Sequence, residues 1–192
     1  MILSRGIQYL SNTPTTIYYN QGNFAHVKYC SGMTGTGGVQ ATIATSGCLP
    51  TSYAMVAVKL GYNMDPTTVA NYICKNTGYR INGSGTSSAF FTASQVEKHF
   101  KINATAVTNR TIDNVVSILK SGKPIIVSVK NGHFNPSGRG HFIVIDSIDG
   151  NNNIKILDPG SRTKTNVTYT KEQIKNYVLN HVNSGMWYFE RG

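Results

Sequence analysis

The chain has 192 residues, 40% hydrophobic and 14% charged, with 18 Lys and Arg against 8 Asp and Glu and a net charge of +10. This composition excludes a largely disordered chain, and no window is apolar for long enough to predict a membrane span. The length predicts a single domain over residues 1–192, which we expect to be a monomer.

The positive charge favours anionic partners. The basic residues are scattered, however, and no basic run interleaved with aromatic residues is present. No nucleic-acid site is therefore predicted. A bacterial wall rich in anionic polymers is another candidate partner, and a solvated basic surface is the simpler interpretation.

Residues 1–47 contain few helix signals. The first residues, "MILSRGIQYLSNTP", lack the basic start and apolar centre of a signal peptide. The segment "SGMTGTGGVQATIATSG" at 31–47 is rich in Gly, Ser and Thr. The pattern predicts an extended loop or short hairpins on the domain surface, and a loop this long is uncommon unless it serves a function.

Helical patterns follow. From Cys48 to Leu60 the apolar residues recur on one helical face, and Thr45 or Ser46 is placed to cap the first turn. Further helices are predicted in "DPTTVANYICKNTG" (65–78), in "TASQVEKHF" (92–100, with Thr92 and Gln95 as a capping box) and in "TIDNVVSILKSG" (111–122).

After Gly122 the pattern changes to short β-rich runs. These are "KPIIVSV" (123–129), "GHFIVIDSI" (140–148) and "NIKILDP" (153–159), the last two joined by the turn "DGNNN". A helix in "TKEQIKNYVLNHV" (170–182) and a strand in "GMWYFE" (185–190) close the chain. Helices followed by a mostly antiparallel sheet indicate an α+β fold.

The three cysteines, Cys30, Cys48 and Cys74, are widely spaced. They match neither a disulfide framework nor zinc-ligand spacing, so no metal and no cofactor is predicted. Cys30 and Cys74 are the most plausible pair for a disulfide, but we expect them to be two small buried thiols.

Cys48 follows Gly47 at a predicted helix start. Unsatisfied N–H groups and the helix dipole lower the pKa of a thiol there, which makes Cys48 a candidate nucleophile. A nucleophilic cysteine needs a base. His141 is the best placed, at the start of a strand after Gly140, and His133, in a loop that could line the cleft, is the alternative.

An orienting group for His141 is expected one strand away. Asp158, at the end of the next predicted strand, is the first choice. Asp149, in the hairpin turn, and Asp146, which should point to the opposite face, are weaker candidates. An acyl-transfer site also needs oxyanion donors, and either Gln21 or Gln40 could add one to the Cys48 N–H.

The segments "NQG", "SGCLPTSYAMV" and "GHFIVIDSIDGNNNIKILDPGS" together resemble the C39-like branch of the papain-fold cysteine peptidases. The resemblance implies a papain-like fold with N-terminal helices packed on a mostly antiparallel sheet. It also implies that Cys48 is the nucleophile, His141 the base, Asp158 the orienting residue and Gln21 the oxyanion donor. Apart from the resemblance, we expect Gly47, Gly140 and His133 to line the substrate cleft.

C39-like domains occur in bacteriocin-processing transporters and in phage lysins and tail-associated wall hydrolases. Nothing in the chain resembles an ATPase or a membrane span, which disfavours a transporter. The resemblance therefore implies an enzyme that hydrolyses an amide bond in bacterial cell-wall peptide and that is released by a holin or carried on a virion. The alternatives are a papain-fold toxin, deamidase or transglutaminase-like effector that acts on a protein, and a non-catalytic phage structural module.

Overall fold

The computed structural model describes residues 16–35 and 37–192. The N-terminal sequence at 1–14 lies outside the described residues. The predicted loop 1–47 is described from residue 16 onward, except for Thr36. The α-helices are α1 (Ile43–Ser46), α2 (Cys48–Lys59), α3 (Pro66–Asn76), α4 (Ser94–Phe100), α5 (Ile112–Lys120), α6 (Arg162–Thr165) and α7 (Lys171–Tyr177). Short 3₁₀ helices lie at Gln21–Phe24, Ser88–Phe90 and Leu179–His181.

Six strands form one antiparallel sheet in the order β1-β6-β2-β3-β4-β5. The strands are β1 (Ile102–Ala106), β2 (Ile125–Val129), β3 (His141–Ile148), β4 (Ile154–Leu157), β5 (Thr168–Tyr169) and β6 (Val182–Arg191). The predicted α+β class and the β3–β4 hairpin are therefore confirmed. The strand β1, between α4 and α5, was not predicted, because its sequence "INATA" is half polar.

The sheet separates two hydrophobic clusters. On one face, Phe142 and Val144 of β3 pack with buried residues of α2, α3 and α4. On the other face, Ile143 and Ile145 pack with residues of α5 and α7. Alternate residues of β3 pack into the two hydrophobic clusters because successive side chains of a strand point to opposite faces of the sheet. The N-terminal helices thus cover one face, as predicted, and two later helices cover the other.

Helix boundaries follow the capping chemistry in most places. Asp65, Thr111 and Thr170 accept hydrogen bonds from the first turns of α3, α5 and α7, and Thr170 forms a capping box with Gln173. Two predicted caps are wrong. Helix α2 has Gly47 as its N-cap, because Thr45 and Ser46 belong to α1, and α4 starts one residue later than the Thr92–Gln95 box requires.

A disulfide joins Cys30 to Cys74. The expectation of two separate buried thiols is therefore wrong. The bond connects the segment before α1 to α3, across 44 residues of sequence. Antiparallel bridges at Lys28–Thr42 and Thr34–Gln40 fold that segment into a short hairpin-like unit, which agrees with the predicted surface hairpins.

Candidate active site

Cys48 is the first residue of α2, and its thiol is free. The preceding helix α1 ends only two residues earlier, with the Gly47 N–H donating to the Ile43 carbonyl at 2.8 Å. A Cβ on Gly47 would lie 2.5 Å from that carbonyl oxygen, so only glycine fits. Gly47 is buried and does not line the cleft, so its predicted role as a cleft residue is wrong.

Helix α2 is fixed against β3 one turn after Cys48. The Ser52 hydroxyl donates to the Phe142 carbonyl at 3.1 Å, and both residues are buried. Because Phe142 follows His141 directly, this bond holds the start of α2 beside the start of β3. The Cys48 and His141 side chains are therefore close enough for each to shift the pKa of the other.

His141 also meets the candidate orienting carboxylate. Its Nε2 lies 2.7 Å from Oδ1 of Asp158, whose side chain is 2% exposed. The same oxygen accepts the Gly160 N–H at 2.8 Å. Since Nε2 is engaged by Asp158, Nδ1 is the ring nitrogen left for the Cys48 sulfur.

The electrostatics of this chain favour a thiolate–imidazolium pair. Burial raises the pKa of the Cys48 thiol, but the hydrogen bond and charge of His141 outweigh it, so the pKa lies below its ordinary value. Burial lowers the pKa of His141, whereas the hydrogen bonds to Asp158 and Cys48 raise it to about 10. Each partner therefore stabilises the charged form of the other.

The backbone of Asp158 is fixed by side chains that the sequence did not single out. Its N–H donates to the Thr165 hydroxyl at 2.9 Å, and its carbonyl accepts the Tyr18 hydroxyl at 2.9 Å. Tyr18 belongs to the Tyr-rich segment before Gln21, and the Gln21 N–H donates to the Pro159 carbonyl at 2.8 Å. The segment that carries Gln21 is thus attached to the loop that carries Asp158.

Gln21 and Gln40 are placed very differently. Gln21 lines the same cleft as Cys48, and its Nε2 donates to the Ala44 carbonyl at 2.7 Å. An amide nitrogen has two hydrogens, so one remains for a ligand. Gln40 is exposed, donates to the Met33 and Ala41 carbonyls, and does not line the cleft.

The other candidates separate in the same way. Gly140 lines the cleft as predicted, whereas His133 faces a second cavity and stacks on Tyr177. The prediction that His133 lines the Cys48 cleft is therefore wrong. Asp149 is held by the β3–β4 turn, and Asp146 forms an ion pair with Lys59 at 3.2 Å. Neither carboxylate bonds to His141.

The model of the Peptidase_C39 like family matches residues 17–185. The chain belongs to the Peptidase_C39 like family. Membership indicates a hydrolase with cysteine peptidase activity on a peptide substrate. A crystal structure described as a candidate C39-like peptidase from Bacillus anthracis has the same fold, with a TM-score of 0.56 and 16% identity over 96% of this chain and 98% of that chain. No curated protein matches the sequence of this chain.

One wall of the C39-like cleft depends on the buried Arg80, which no sequence motif singles out. The guanidinium of Arg80 donates to the Ile81, Ser84 and Gly85 carbonyls and to the Thr34 carbonyl, and residues 81 and 83–88 line the cleft. It also lies 4.9 Å from the centre of the Tyr29 ring. No local sequence signal distinguishes Arg80 from a surface arginine.

Within residues 16–35 and 37–192 the structure holds no group of His, Cys, Asp and Glu arranged to bind a metal ion. Nor does any helix in those ranges have the length and apolar character that a membrane span requires.

Proposed function

We propose that the protein is a cysteine peptidase that hydrolyses an amide bond in bacterial cell-wall peptide, with Cys48 as nucleophile, His141 as acid and base, and Asp158 as the positioning residue. The observation that carries the proposal is the 2.7 Å contact between His141 and Asp158 beside Cys48, where the Cys48 thiol and the His141 ring each favour the charged form of the other. It lies in an open cleft at the start of α2.

In the first half-reaction the Cys48 thiolate attacks the amide carbonyl carbon. The carbonyl oxygen becomes an oxyanion, which the Cys48 N–H and the second N–H of Gln21 stabilise. The first N–H groups of a helix have no acceptor within the helix, so the Cys48 donor is available. The His141 imidazolium then gives its proton to the leaving amine, the C–N bond breaks and a thioester remains.

In the second half-reaction His141, now neutral, accepts a proton from water. The resulting hydroxide attacks the thioester carbonyl, the C–S bond breaks and the product leaves as a carboxylic acid. The thiolate and imidazolium are restored. Asp158 does not exchange protons in this scheme, because its part is to keep Nδ1 of His141 directed at the sulfur.

Two features support a substrate outside the cytoplasm. The net charge of +10 favours anionic surfaces such as wall polymers. The Cys30–Cys74 disulfide favours an oxidising compartment, since such bonds are rare in the reducing cytoplasm. Release by a holin or carriage on a virion, which the sequence resemblance implies, stays part of this proposal.

The test is digestion of purified walls from several Gram-positive genera. We expect the wild-type protein to release new amino groups, and mass spectrometry of the fragments to show whether a peptide bond or the sugar–peptide amide was cut. Cys48→Ala should release none while its melting temperature stays near that of wild type. Full release by Cys48→Ala contradicts the proposal. If the enzyme modifies protein substrates but does not digest walls, the toxin, deamidase or transglutaminase-like effector is favoured.

The role of the charge is tested by binding rather than by turnover. The Cys48→Ala protein should bind walls less as salt rises, because screening acts over about 8–10 Å at physiological ionic strength. Walls stripped of anionic polymers should bind less of it. If wall binding depends neither on salt nor on the anionic polymers, and the protein binds duplex DNA tightly with a strong salt dependence, the positive charge serves nucleic-acid binding instead.

A further inference from the structure

The cleft around Cys48 has an uneven charge distribution. It encloses about 640 Å³, and among its described lining residues the basic side chains are Lys130, Arg139 and His141, with no Asp or Glu. Asp158, behind His141, is 1% exposed and is neutralised by that imidazolium. A peptide in this cleft therefore meets positive charge that no carboxylate of the lining offsets.

Lys130 and Arg139 lie at the two ends of the connection between β2 and β3, and the structure fixes both ends. The Lys130 N–H donates to the His181 carbonyl at 2.9 Å. The buried side-chain amide of Asn135 donates to the Arg139 carbonyl, and its oxygen accepts the Ser137 hydroxyl at 2.7 Å. The two cations are thus carried by ordered backbone, close to His141.

Neither cation has a carboxylate partner among the described residues. The ion pairs of lysine there are Lys59 with Asp146 and Lys123 with Glu190. Both Lys130 and Arg139 are exposed, which leaves their donors available to a ligand. The lining residues Ser84, Ser87 and Ser88 carry hydroxyl groups and no charge, and so suit the uncharged part of a peptide.

We propose that Lys130 and Arg139 are specificity-determining residues that bind a carboxylate of the peptide substrate, so the enzyme prefers an acidic peptide over its neutral counterpart. The inference rests on the proposed peptidase function and narrows its substrate class. Guanidinium and ammonium groups form charge-assisted hydrogen bonds to carboxylates, and those bonds are about twice as strong as neutral ones. An amide at the same place would gain only the weaker bonds.

The first experiment does not depend on turnover. Iodoacetate and iodoacetamide alkylate the same thiolate and differ in one charge, so the ratio of their rates at Cys48 reports the local field. We expect Lys130→Gln/Arg139→Gln to lower the iodoacetate-to-iodoacetamide ratio about five-fold. The matched control, Lys120→Gln/Lys175→Gln, removes two exposed charges outside the cleft and should leave the ratio unchanged. If the iodoacetate-to-iodoacetamide ratio of Lys130→Gln/Arg139→Gln equals that of the control variant, the proposal is overturned.

The second experiment measures substrate choice. A mixed peptide library is digested and the fragments are identified by mass spectrometry. The wild type should enrich Asp, Glu or a free carboxyl end at one position, and Lys130→Gln/Arg139→Gln should lose that enrichment yet still cut neutral peptides. Cleavage with no acidic preference overturns the substrate class. No thiol-dependent cleavage of peptides or walls would instead overturn the proposed function, while the alkylation ratio still reports on the cations.

Discussion

The carboxylate of Asp158 meets Nε2 of His141 at 2.7 Å although the two residues are not directly opposite one another in the β3–β4 pairing. Val144 pairs with Leu157, so the same register places Asp158 opposite Ile143, two residues from His141. The contact is therefore a diagonal one, which a long side chain such as histidine can span. The expectation that Asp158 reaches His141 from the neighbouring strand agrees with this contact.

The reactivity of Cys48 should depend on pH through His141. Since His141 lowers the pKa of the thiol, iodoacetamide alkylation of the wild type should reach its plateau at a lower pH than that of an ordinary thiol. In His141→Gln burial and the backbone N–H groups of Leu49 and Phe142 remain but the imidazolium is lost, so the midpoint should rise by about one pH unit or more. The exposed His26→Gln is the control, and an unshifted midpoint in His141→Gln would contradict the ion pair.

Asp158→Asn should lower the pKa of His141 from about 10, because the carboxylate stabilises the protonated ring. Protonated His141 is needed to supply the leaving group's proton, so the alkaline limb of the kcat/KM profile should move to lower pH. We expect kcat/KM to fall by about 10²–10⁴, less than in Cys48→Ala. Asp113→Asn, exposed in α5, is the control, and an unmoved alkaline limb would argue against the assignment.

Gly47→Ala should damage the site without touching a catalytic group. The new Cβ would lie 2.5 Å from the Ile43 carbonyl oxygen, so the turn between α1 and α2 must shift and carry Cys48 with it. We expect a loss of about 1–3 kcal/mol in the free energy of unfolding and slower alkylation of Cys48. Gly78→Ala meets nothing within 4 Å and should be tolerated. Equal stability of the two variants would disprove the close approach.

The disulfide predicts a thiol count and a stability change. Without reductant, iodoacetamide should label only Cys48, and after reduction and unfolding it should label all three cysteines. Cys30→Ser/Cys74→Ser should lower the free energy of unfolding by about 4 kcal/mol, since the bond closes a loop across 44 residues. Chemical denaturation measures the change. Three reactive thiols in the oxidised folded protein would show that the bond does not form.

Arg80→Lys tests the wall of the cleft. Lysine cannot reproduce the planar set of donors that reaches carbonyls of 81–85 and Thr34, so buried carbonyls lose partners. We expect a cost of about 1–3 kcal/mol in the free energy of unfolding and a higher KM for peptide, with kcat less affected. Arg110→Lys, exposed, is the control. A KM unchanged from wild type would mean that residues 81–88 do not contact substrate.

The sequence by itself determined the elements whose signals are local. Helix α2 begins at Cys48, α3 follows its Asp65 cap, and the β3–β4 hairpin surrounds its Asn-rich turn, because periodicity, capping and turn chemistry act over a few residues. The order of the cysteine, histidine and aspartate motifs is also readable from the sequence, and it predicts that Cys48, His141 and Asp158 lie together.

Only the tertiary structure decided the relationships between distant segments. Four findings depend on how separate segments pack: Gln21 lines the cleft while Gln40 does not, Cys30 bonds to Cys74, His133 lies at another cavity, and Arg80 binds carbonyls from two segments. When two interacting residues are far apart in the sequence, the packing of the two hydrophobic clusters and long-range backbone hydrogen bonds determine which side chains meet. No short-range pattern encodes them, because the same local sequence is compatible with many partners until the core forms around it.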